Sequence, residues 1–228
     1  MRMKTCLILL LVLFSELAAN AQQEELRTLR QFSKIVTKEG YDIFLTEGAS
    51  ESVRIVTENI DPGKILTDVN NETLTIGTKK GKYMNTKVQL YITFKRLNSI
   101  VSYGSGMIKF APFKTDKISM ELMGSNKVII PIHAKTIDLN LSGSSDINLS
   151  GGTDRLLINL SGSGKINAFD LVTREGIIKL SGSGEANVNV KERLKIDCSG
   201  SGAVYYKGHP QNKEINKTGS GNVEPAKD

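Results

Sequence analysis

Hydrophobic and polar residues alternate with a period of two along most of the chain after residue 33. Alternation at this period is typical of strands that bury one face, whereas an amphipathic helix repeats its apolar positions about every 3.6 residues. No stretch of this part of the chain carries a sustained helical period. The pattern therefore predicts an all-β protein.

The second half of the chain repeats a motif of the general form apolar-x-apolar-Ser-Gly-Ser-Gly-x-apolar, at intervals of 18 to 20 residues. Most positions four and two residues before the first glycine, and four and six residues after it, are apolar, with polar residues between them. Each copy is therefore predicted to form two short strands joined by a tight corner. The first glycines of the seven copies are Gly104, Gly124, Gly143, Gly162, Gly182, Gly200 and Gly219.

A repeat of about 19 residues made only of strands is compatible with few architectures. Propeller blades need about 40 residues or more, and leucine-rich repeats carry a pattern that is absent here. A single-domain β-solenoid similar to a parallel β-helix remains, in which each repeat is one coil and equivalent positions stack into ladders. About seven coils ~4.8 Å apart would form a rod roughly 29 Å long. The corner glycines would permit positive φ values and close approach of neighbouring backbones.

Residues 34–98 have the same strand character without the repeat, and we interpret them as an irregular β section that caps the first coil. Two alternating segments, 41–48 and 52–58, are joined by a short polar turn. A hairpin is expected around Asn70-Asn71.

At the other end of the stack, Lys217, Pro225 and Lys227 would blunt the open edge of the last coil. No Pro- or Ser-rich linker separates the irregular section from the coils, which favours one continuous domain. The predicted organisation is a signal peptide at 1–21, an N-terminal lead at 22–33, a solenoid domain at 34–224 (irregular section 34–98, coils 99–224) and a tail at 225–228.

The first 21 residues have the pattern of a secretory signal peptide. Arg2 and Lys4 are followed by an apolar run and then by Ala19-Asn20-Ala21, which is a small-x-small cleavage site. The apolar run is much shorter than the ~20 residues that cross a bilayer. Cleavage after Ala21 would leave no transmembrane segment and would place the protein in the periplasm, at the outer membrane or outside the cell.

Composition excludes several classes of protein. Apolar residues make up 39% of the chain and charged residues 24%, which excludes a disordered chain, and the 21 glycines follow no collagen period. Without the signal peptide Cys198 is the only cysteine, so no disulfide within the chain is expected. Cys198 occupies the position of Leu141, Leu160 and Leu180, which predicts a buried side chain rather than a catalytic thiol.

The net charge is +6, and +5 without the signal peptide, which suggests an anionic partner such as lipopolysaccharide or an acidic glycan. The cations are dispersed, however, and the densest run, at 79–82 (Lys-Lys-Gly-Lys), reads more simply as an exposed solubilising loop. Nucleic acid is not expected to be a partner of an exported protein.

Catalytic and metal-binding patterns are not recognisable in the sequence. Polysaccharide lyases and hydrolases need clustered carboxylates, but the acidic residues here scatter over different coil positions. His133 and His209 lie in no motif, and no helix pattern follows SGSGK (161–165), so this segment is not a phosphate loop. The corners lack the aspartate that calcium-binding solenoid repeats carry after their glycines. We therefore predict no catalytic, cofactor-binding or metal-binding residues.

Four segments ahead of or entering the coils carry a resemblance to a known family. With the Ser-Gly-Ser-Gly coils, they resemble the auto-transporter adhesin head GIN domain family of exported bacterial proteins over residues 32–223. The resemblance implies an all-β, solenoid-like fold and an extracytoplasmic location, and the family name refers to adhesion without defining a reaction. The segments are KEGYDIFLTEG (38–48), VRIVTE (53–58), VNNETLTI (69–76) and VQLYITFKRLNSIVSYGSG (88–106).

These observations together predict an exported, non-enzymatic protein of the cell envelope, which serves in adhesion, recognition or assembly through a regular solenoid surface. A glycan or an envelope or surface protein is the expected partner, and coil-to-coil homo-oligomers are a further prediction. The alternative is a carbohydrate-active enzyme of the polysaccharide lyase or hydrolase type, with its catalytic residues in the irregular section.

Overall fold

The alternating segments form strands that wind into a β-solenoid. The computed structural model describes residues 22–226, in which seventeen strands are accompanied by one short 3-10 turn at Pro62–Lys64. The predicted signal peptide and its cleavage site after Ala21 lie outside the described residues. The strands are β1 (Gln23–Thr28), β2 (Lys34–Thr37), β3 (Asp42–Glu47), β4 (Ser52–Glu58), β5 (Ile65–Asn70), β6 (Thr73–Thr78), β7 (Lys87–Phe94), β8 (Ser99–Ser102), β9 (Met107–Phe110), β10 (Phe113–Leu122), β11 (Lys127–Leu141), β12 (Asp146–Leu160), β13 (Lys165–Leu180), β14 (Glu185–Cys198), β15 (Ala203–Lys207), β16 (Asn212–Lys217) and β17 (Asn222–Pro225).

Each regular coil passes through two parallel sheets joined by a glycine corner, and we number coils 1 to 7 by their first glycines, Gly104 to Gly219. The front sheet holds the strands that precede the glycine corner, and the back sheet holds those that follow it. Strands β11 to β14 contribute their first halves to the back sheet and their second halves to the front sheet. Between the two halves each bends at an opposite corner, residues 131–136, 150–155, 169–175 and 189–193 respectively. The predicted solenoid of about seven coils is confirmed.

The apolar positions on both sides of the glycine corner form the core. In coil 3, Leu139, Leu141, Ile147 and Leu149 are at most 3% exposed. Cys198 is buried at the equivalent leucine position of coil 6, as predicted. Because burial of one large aliphatic side chain contributes about 2 kcal/mol, this repeated core is the main source of stability.

The irregular section is more regular than the sequence indicates. Strands β2–β3 and β6–β7 stack in parallel register with the coils: Ile35 pairs with Ile100 of coil 1 on one side and with Leu74 on the other. This register places Glu39 and Thr78 where the coils have their first glycine. The order of the chain differs from the order in space, since β2–β3 lies between β6–β7 and β8–β9.

Antiparallel strands cover the N-terminal end of the stack. Strand β4 pairs with β7, β1 pairs with β4, and β5 pairs with β6. The β5–β6 turn has positive φ at Asn71 and Glu72, one residue beyond the predicted position. Strand β1 lies in the lead for which the sequence predicts no strand.

The C-terminal end is formed by β16, which pairs with β14, and by β17, which pairs with β15. Lys217 is exposed at the position that Leu141 occupies in coil 3, and Ile215 is 37% exposed. A charge at an inward position discourages pairing with a further strand. Lys227, the last residue expected to blunt this edge, lies outside the described residues.

Candidate functional site

The seven corner glycines are packed against the backbone of the preceding coil. A Cβ atom on Gly143 would lie 2.0 Å from the carbonyl oxygen of Gly124, and one on Gly162 would lie 2.0 Å from that of Gly143. The carbonyl of Gly143 also accepts a hydrogen bond from the amide of Ser163, at 3.2 Å. Among the seven, only Gly219 has a positive φ, so the other six do not use the positive φ that glycine permits. Close backbone approach is the reason for glycine there, and these residues are scaffold.

An open groove runs along the front sheet, parallel to the solenoid axis, and we call it the axial groove. It has a volume of about 630 Å³ and extends from coil 2 to coil 7, which is roughly 24 Å. Two rows of residues line it, together with the residues between them, Leu141, Leu160, Leu180 and Cys198. The amide row, three residues before the glycines, consists of Glu121, Asn140, Asn159, Lys179, Asp197 and Asn216, and the hydroxyl row, one residue before them, consists of Met123, Ser142, Ser161, Ser181, Ser199 and Thr218.

Hydrogen bonds within and between coils orient several side chains of the amide row. Asn159 donates from Nδ2 to Oδ1 of Asn140 at 2.9 Å, and Asn140 donates to Asp138 at 3.1 Å. Farther along, Asn216 donates to Asp197 at 2.8 Å. Side chains fixed in this way present their remaining donors and acceptors in a regular array.

The amide row carries a different charge from the protein as a whole. Glu121 and Asp197 contribute two negative charges and Lys179 contributes one positive charge, whereas the chain has a net charge of +6. The axial groove is thus a weakly acidic, mostly neutral surface on a basic protein.

The back sheet carries paired charges instead. Lys165 and Glu185 form an ion pair of 2.8 Å, and their hydrogen bond lowers the pKa of the Glu185 carboxyl and raises the pKa of the Lys165 ammonium. A second amide pair, in which Asn167 donates to Asn148 at 3.4 Å, lies on this sheet and does not line the axial groove.

The opposite corner holds an ion network around Glu175. Arg155, Glu175 and Arg193 occupy paired positions in successive coils, and Arg193 hydrogen-bonds to Glu175. Arg174 contacts Glu175 at 2.7 Å. Burial alone would raise the pKa of the Glu175 carboxyl, but the hydrogen bond from Arg193 and the positive charges around it outweigh burial and lower that pKa. Glu175 is therefore ionised at neutral pH and does not serve as a proton donor.

Neither histidine lies in the axial groove. His133 is on the opposite corner of β11 and His209 follows β15, and both are exposed. Within residues 22–226, no group of three or more His, Cys, Asp or Glu side chains has the arrangement of a metal site. The same part of the chain contains no helix with the length and apolar character needed to cross a membrane.

The axial groove was not predicted from the sequence, although the sequence contains a signal for it. The position three residues before each glycine is polar from coil 2 to coil 7, and the next exposed position is serine in four consecutive coils. Two polar rows on one sheet face imply a polar track.

Solved structures share this fold. A putative adhesin from Bacteroides fragilis NCTC 9343 superposes with a TM-score of 0.83 at 22% identity, over 91% of this chain and 98% of that chain. A putative adhesin from Parabacteroides merdae ATCC 43184 gives 0.73 at 21% identity, over 92% and 98%. A putative lipid binding protein from Parabacteroides distasonis ATCC 8503 gives 0.70 at 23% identity, over 92% and 98%.

The family of the chain follows from its sequence. No protein of curated function matches it. The family described as "Putative auto-transporter adhesin, head GIN domain" matches residues 31–210, which include β2 to β15 and the first six glycine corners. This match supports an adhesion-like role. The resemblance seen in the sequence is thereby confirmed, and the chain belongs to the auto-transporter adhesin head GIN domain family.

Proposed function

We propose that this protein is an exported, non-enzymatic adhesion module of the cell envelope, which recognises its partner through the axial groove. The observation that carries the proposal is the amide row, which is polar from coil 2 to coil 7, together with the hydroxyl side chains beside it from coil 3 to coil 7. Such a surface offers many weak, equivalent contacts, as expected for recognition of an extended partner. The signal-peptide pattern at residues 1–21 and the family support export.

The carboxylates of the axial groove are poorly arranged for glycoside hydrolysis. Glu121 and Asp197 lie four coils apart, about 19 Å, whereas the catalytic pair of a glycosidase is separated by roughly 5 to 9.5 Å. A second pair of carboxylates, Asp197 and Glu214, is close enough for Asn216 to donate hydrogen bonds to both. Hydrogen bonds from Lys195 and Asn216, however, lower the pKa of the Glu214 carboxyl. A general acid needs a raised pKa. This geometry supports the non-enzymatic half of the proposal.

The proposal is tested with the mature chain, residues 22–228, coupled to beads and mixed with envelope fractions of the bacterium that makes it. We expect saturable binding to the envelopes and no release of reducing or unsaturated sugar ends from their polysaccharides. Fractionation of intact cells should recover the protein outside the cytoplasm. Turnover of any polysaccharide, or retention in the cytoplasm, would contradict the proposal.

A further inference from the structure

We infer that the axial groove binds an uncharged, extended polysaccharide chain that lies along the solenoid axis. This inference rests on the proposed function and names the class of partner. Every coil from the third to the sixth presents one amide or charged side chain and one serine hydroxyl to the groove. Hydroxyls and amides are both donors and acceptors, so they match the hydroxyls of a sugar, which have the same dual character.

Unused hydrogen-bonding capacity in the amide row supports this assignment. Each asparagine amide has two N–H donors; Asn159 uses one of them to bond Asn140, and Asn140 uses one to bond Asp138 of its own strand. Ser161 donates to the carbonyl of Leu141 and retains acceptor capacity. The ladder therefore fixes the side chains while it leaves outward-pointing capacity for a ligand, which reduces the entropy lost on binding.

The charged side chains of the axial groove favour an uncharged polysaccharide over an acidic one. Glu121 and Asp197 lie towards the two ends of the amide row and Lys179 lies between them. An acidic glycan would meet two carboxylates and a single ammonium, so the groove disfavours it. The positive net charge of the chain, which on its own suggested an acidic glycan, is located elsewhere on the surface.

The repeat of the groove indicates a polymer. Equivalent side chains recur at each coil, ~4.8 Å apart. Sugar residues of an extended chain follow one another at a similar distance, so successive sugars can make the same contacts with successive coils. A ligand of this kind gains affinity with length until it spans the groove.

An exposed aromatic ring stands at one end of the hydroxyl row. Tyr103 of coil 1 precedes Met123 in that row and is 51% exposed. The face of an exposed aromatic ring packs well against the apolar face of a sugar. We therefore assign Tyr103, which lies one coil beyond Met123, as a platform next to the end of the groove.

The test uses three hexasaccharide probes with the mature chain: cellohexaose and hexa-N-acetylchitohexaose, which are uncharged, and hexagalacturonate, which is acidic. Calorimetry should show binding of at least one uncharged probe, with at least about tenfold weaker binding of its disaccharide. Hexagalacturonate should bind more weakly than that probe at low salt. Chemical shifts of the side-chain amides of Asn140 and Asn159 should change on binding.

Matched variants locate the site. The double variant Asn140→Ala/Asn159→Ala removes the groove ladder, and Asn148→Ala/Asn167→Ala removes the ladder of the back sheet. We expect about tenfold weaker binding for the first, since about two hydrogen bonds are lost, and no change for the second. Ser181→Arg, which fills the middle of the groove from an exposed position, should weaken binding at least as much, and Tyr103→Ala about fivefold. Thermal melts establish that each variant is folded.

Three results would overturn the inference: no binding of either uncharged hexasaccharide, tighter binding of the acidic probe, or equal losses for the two double variants. The bead assay separates this failure from failure of the proposed function. If envelopes bind and the groove variants lose this binding while no uncharged hexasaccharide binds, the polysaccharide inference fails and the proposed function stands. If envelopes bind and the groove variants bind them as well as the unchanged protein does, recognition through the axial groove fails in both proposals, and only adhesion through another surface stands. If envelopes do not bind at all, adhesion itself fails.

Discussion

The two corners of each coil join the same two sheets, but they are built differently. At the glycine corner, glycines of successive coils stack on one another's carbonyl groups, with no room for a Cβ atom. At the opposite corner the chain carries charged side chains, and the register shifts there. Between coils 4 and 5 the glycines are 20 residues apart, and between coils 5 and 6 they are 18 apart. The register places this entire difference at the opposite corner.

This difference shows which part of the repeat is under geometric constraint. The glycine corner fixes the rise of the solenoid because backbone contacts allow one spacing. The opposite corner tolerates changes in length, as the register shifts in β13 and β14 show. The axial groove lies beside the glycine corner, so its two rows inherit the constant spacing.

The largest effect is expected from insertions. An alanine inserted between Ser163 and Gly164 should abolish cooperative unfolding in urea, because a shift of one residue turns Ile166 and the following inward side chains towards solvent. The same insertion between Lys191 and Glu192 lies at the opposite corner, in the 18-residue interval between Gly182 and Gly200. It should lower the free energy of unfolding by about 1 kcal/mol or less. Comparable losses for the two insertions would contradict the distinction between the corners.

Alanine substitutions test the corners at single-atom scale. Gly162→Ala places a Cβ atom 2.0 Å from a backbone oxygen and should lower the free energy of unfolding by about 3 kcal/mol. Gly152→Ala is the matched control, since its nearest contact would be 3.5 Å away, to the ring of His133. We expect the control to change the free energy of unfolding by about 0.5 kcal/mol or less. Urea denaturation followed by circular dichroism measures both, and an equal effect would refute the stacking argument.

A smaller effect is expected from the ion network of the opposite corner. The pKa of Glu175 is lower in the folded chain than its ordinary value of 4.5, so its contribution to stability is complete above that pH. The contribution is lost as the pH falls through the folded pKa. Glu175→Gln should therefore lower the melting temperature at pH 7 and flatten its fall below pH 4.5. A variant that keeps the full acid dependence would show that Glu175 is not its source.

The smallest effect concerns salt. Arg174 contacts Asp154, Glu175 and Glu192 from an exposed position, so added salt should screen these pairs. We expect 0.5 M sodium chloride, about ten times a low-salt buffer, to lower the melting temperature less than Glu175→Gln does. In Arg174→Gln this salt effect should shrink, whereas in Gly162→Ala it should persist. An unchanged salt effect in Arg174→Gln would exclude the network as its cause.

The regular part of the fold was predictable because repetition shows the structural role of each position. Cys198 is the example: three leucines at equivalent positions predict its burial. The coil-like pairs β2–β3 and β6–β7 were not predictable in this way, since Glu39 and Thr78 replace the glycine that marks the period. Their register depends on partners that are distant in the sequence, and alternation alone does not identify a strand's neighbours.

The candidate site was only partly predictable. The polarity of positions such as Asn140 and Asn159 is visible in the sequence, but a strand pattern shows only that these residues face outward. The groove arises from the distance between two rows and from the small serines in one of them, which requires coordinates. The ion network around Glu175 could not be predicted for a related reason. The opposite corner varies in length, so a constant residue spacing does not identify which of its residues are equivalent in successive coils.

The position of β2–β3 within the stack determines the order in which the protein can fold. These strands are synthesised first among the stacked pairs, yet both of their lateral partners come later in the chain. Ile35 must wait for Ile100, 65 residues further on, whereas neighbouring coils such as those of Leu139 and Ile158 pair across 19 residues. Because distant pairings form more slowly than near ones, the C-terminal coils should gain protection from hydrogen exchange before β2 and β3 do. The slow step of folding is then the insertion of β2 and β3, which are synthesised early, into a stack that the C-terminal strands have begun to form.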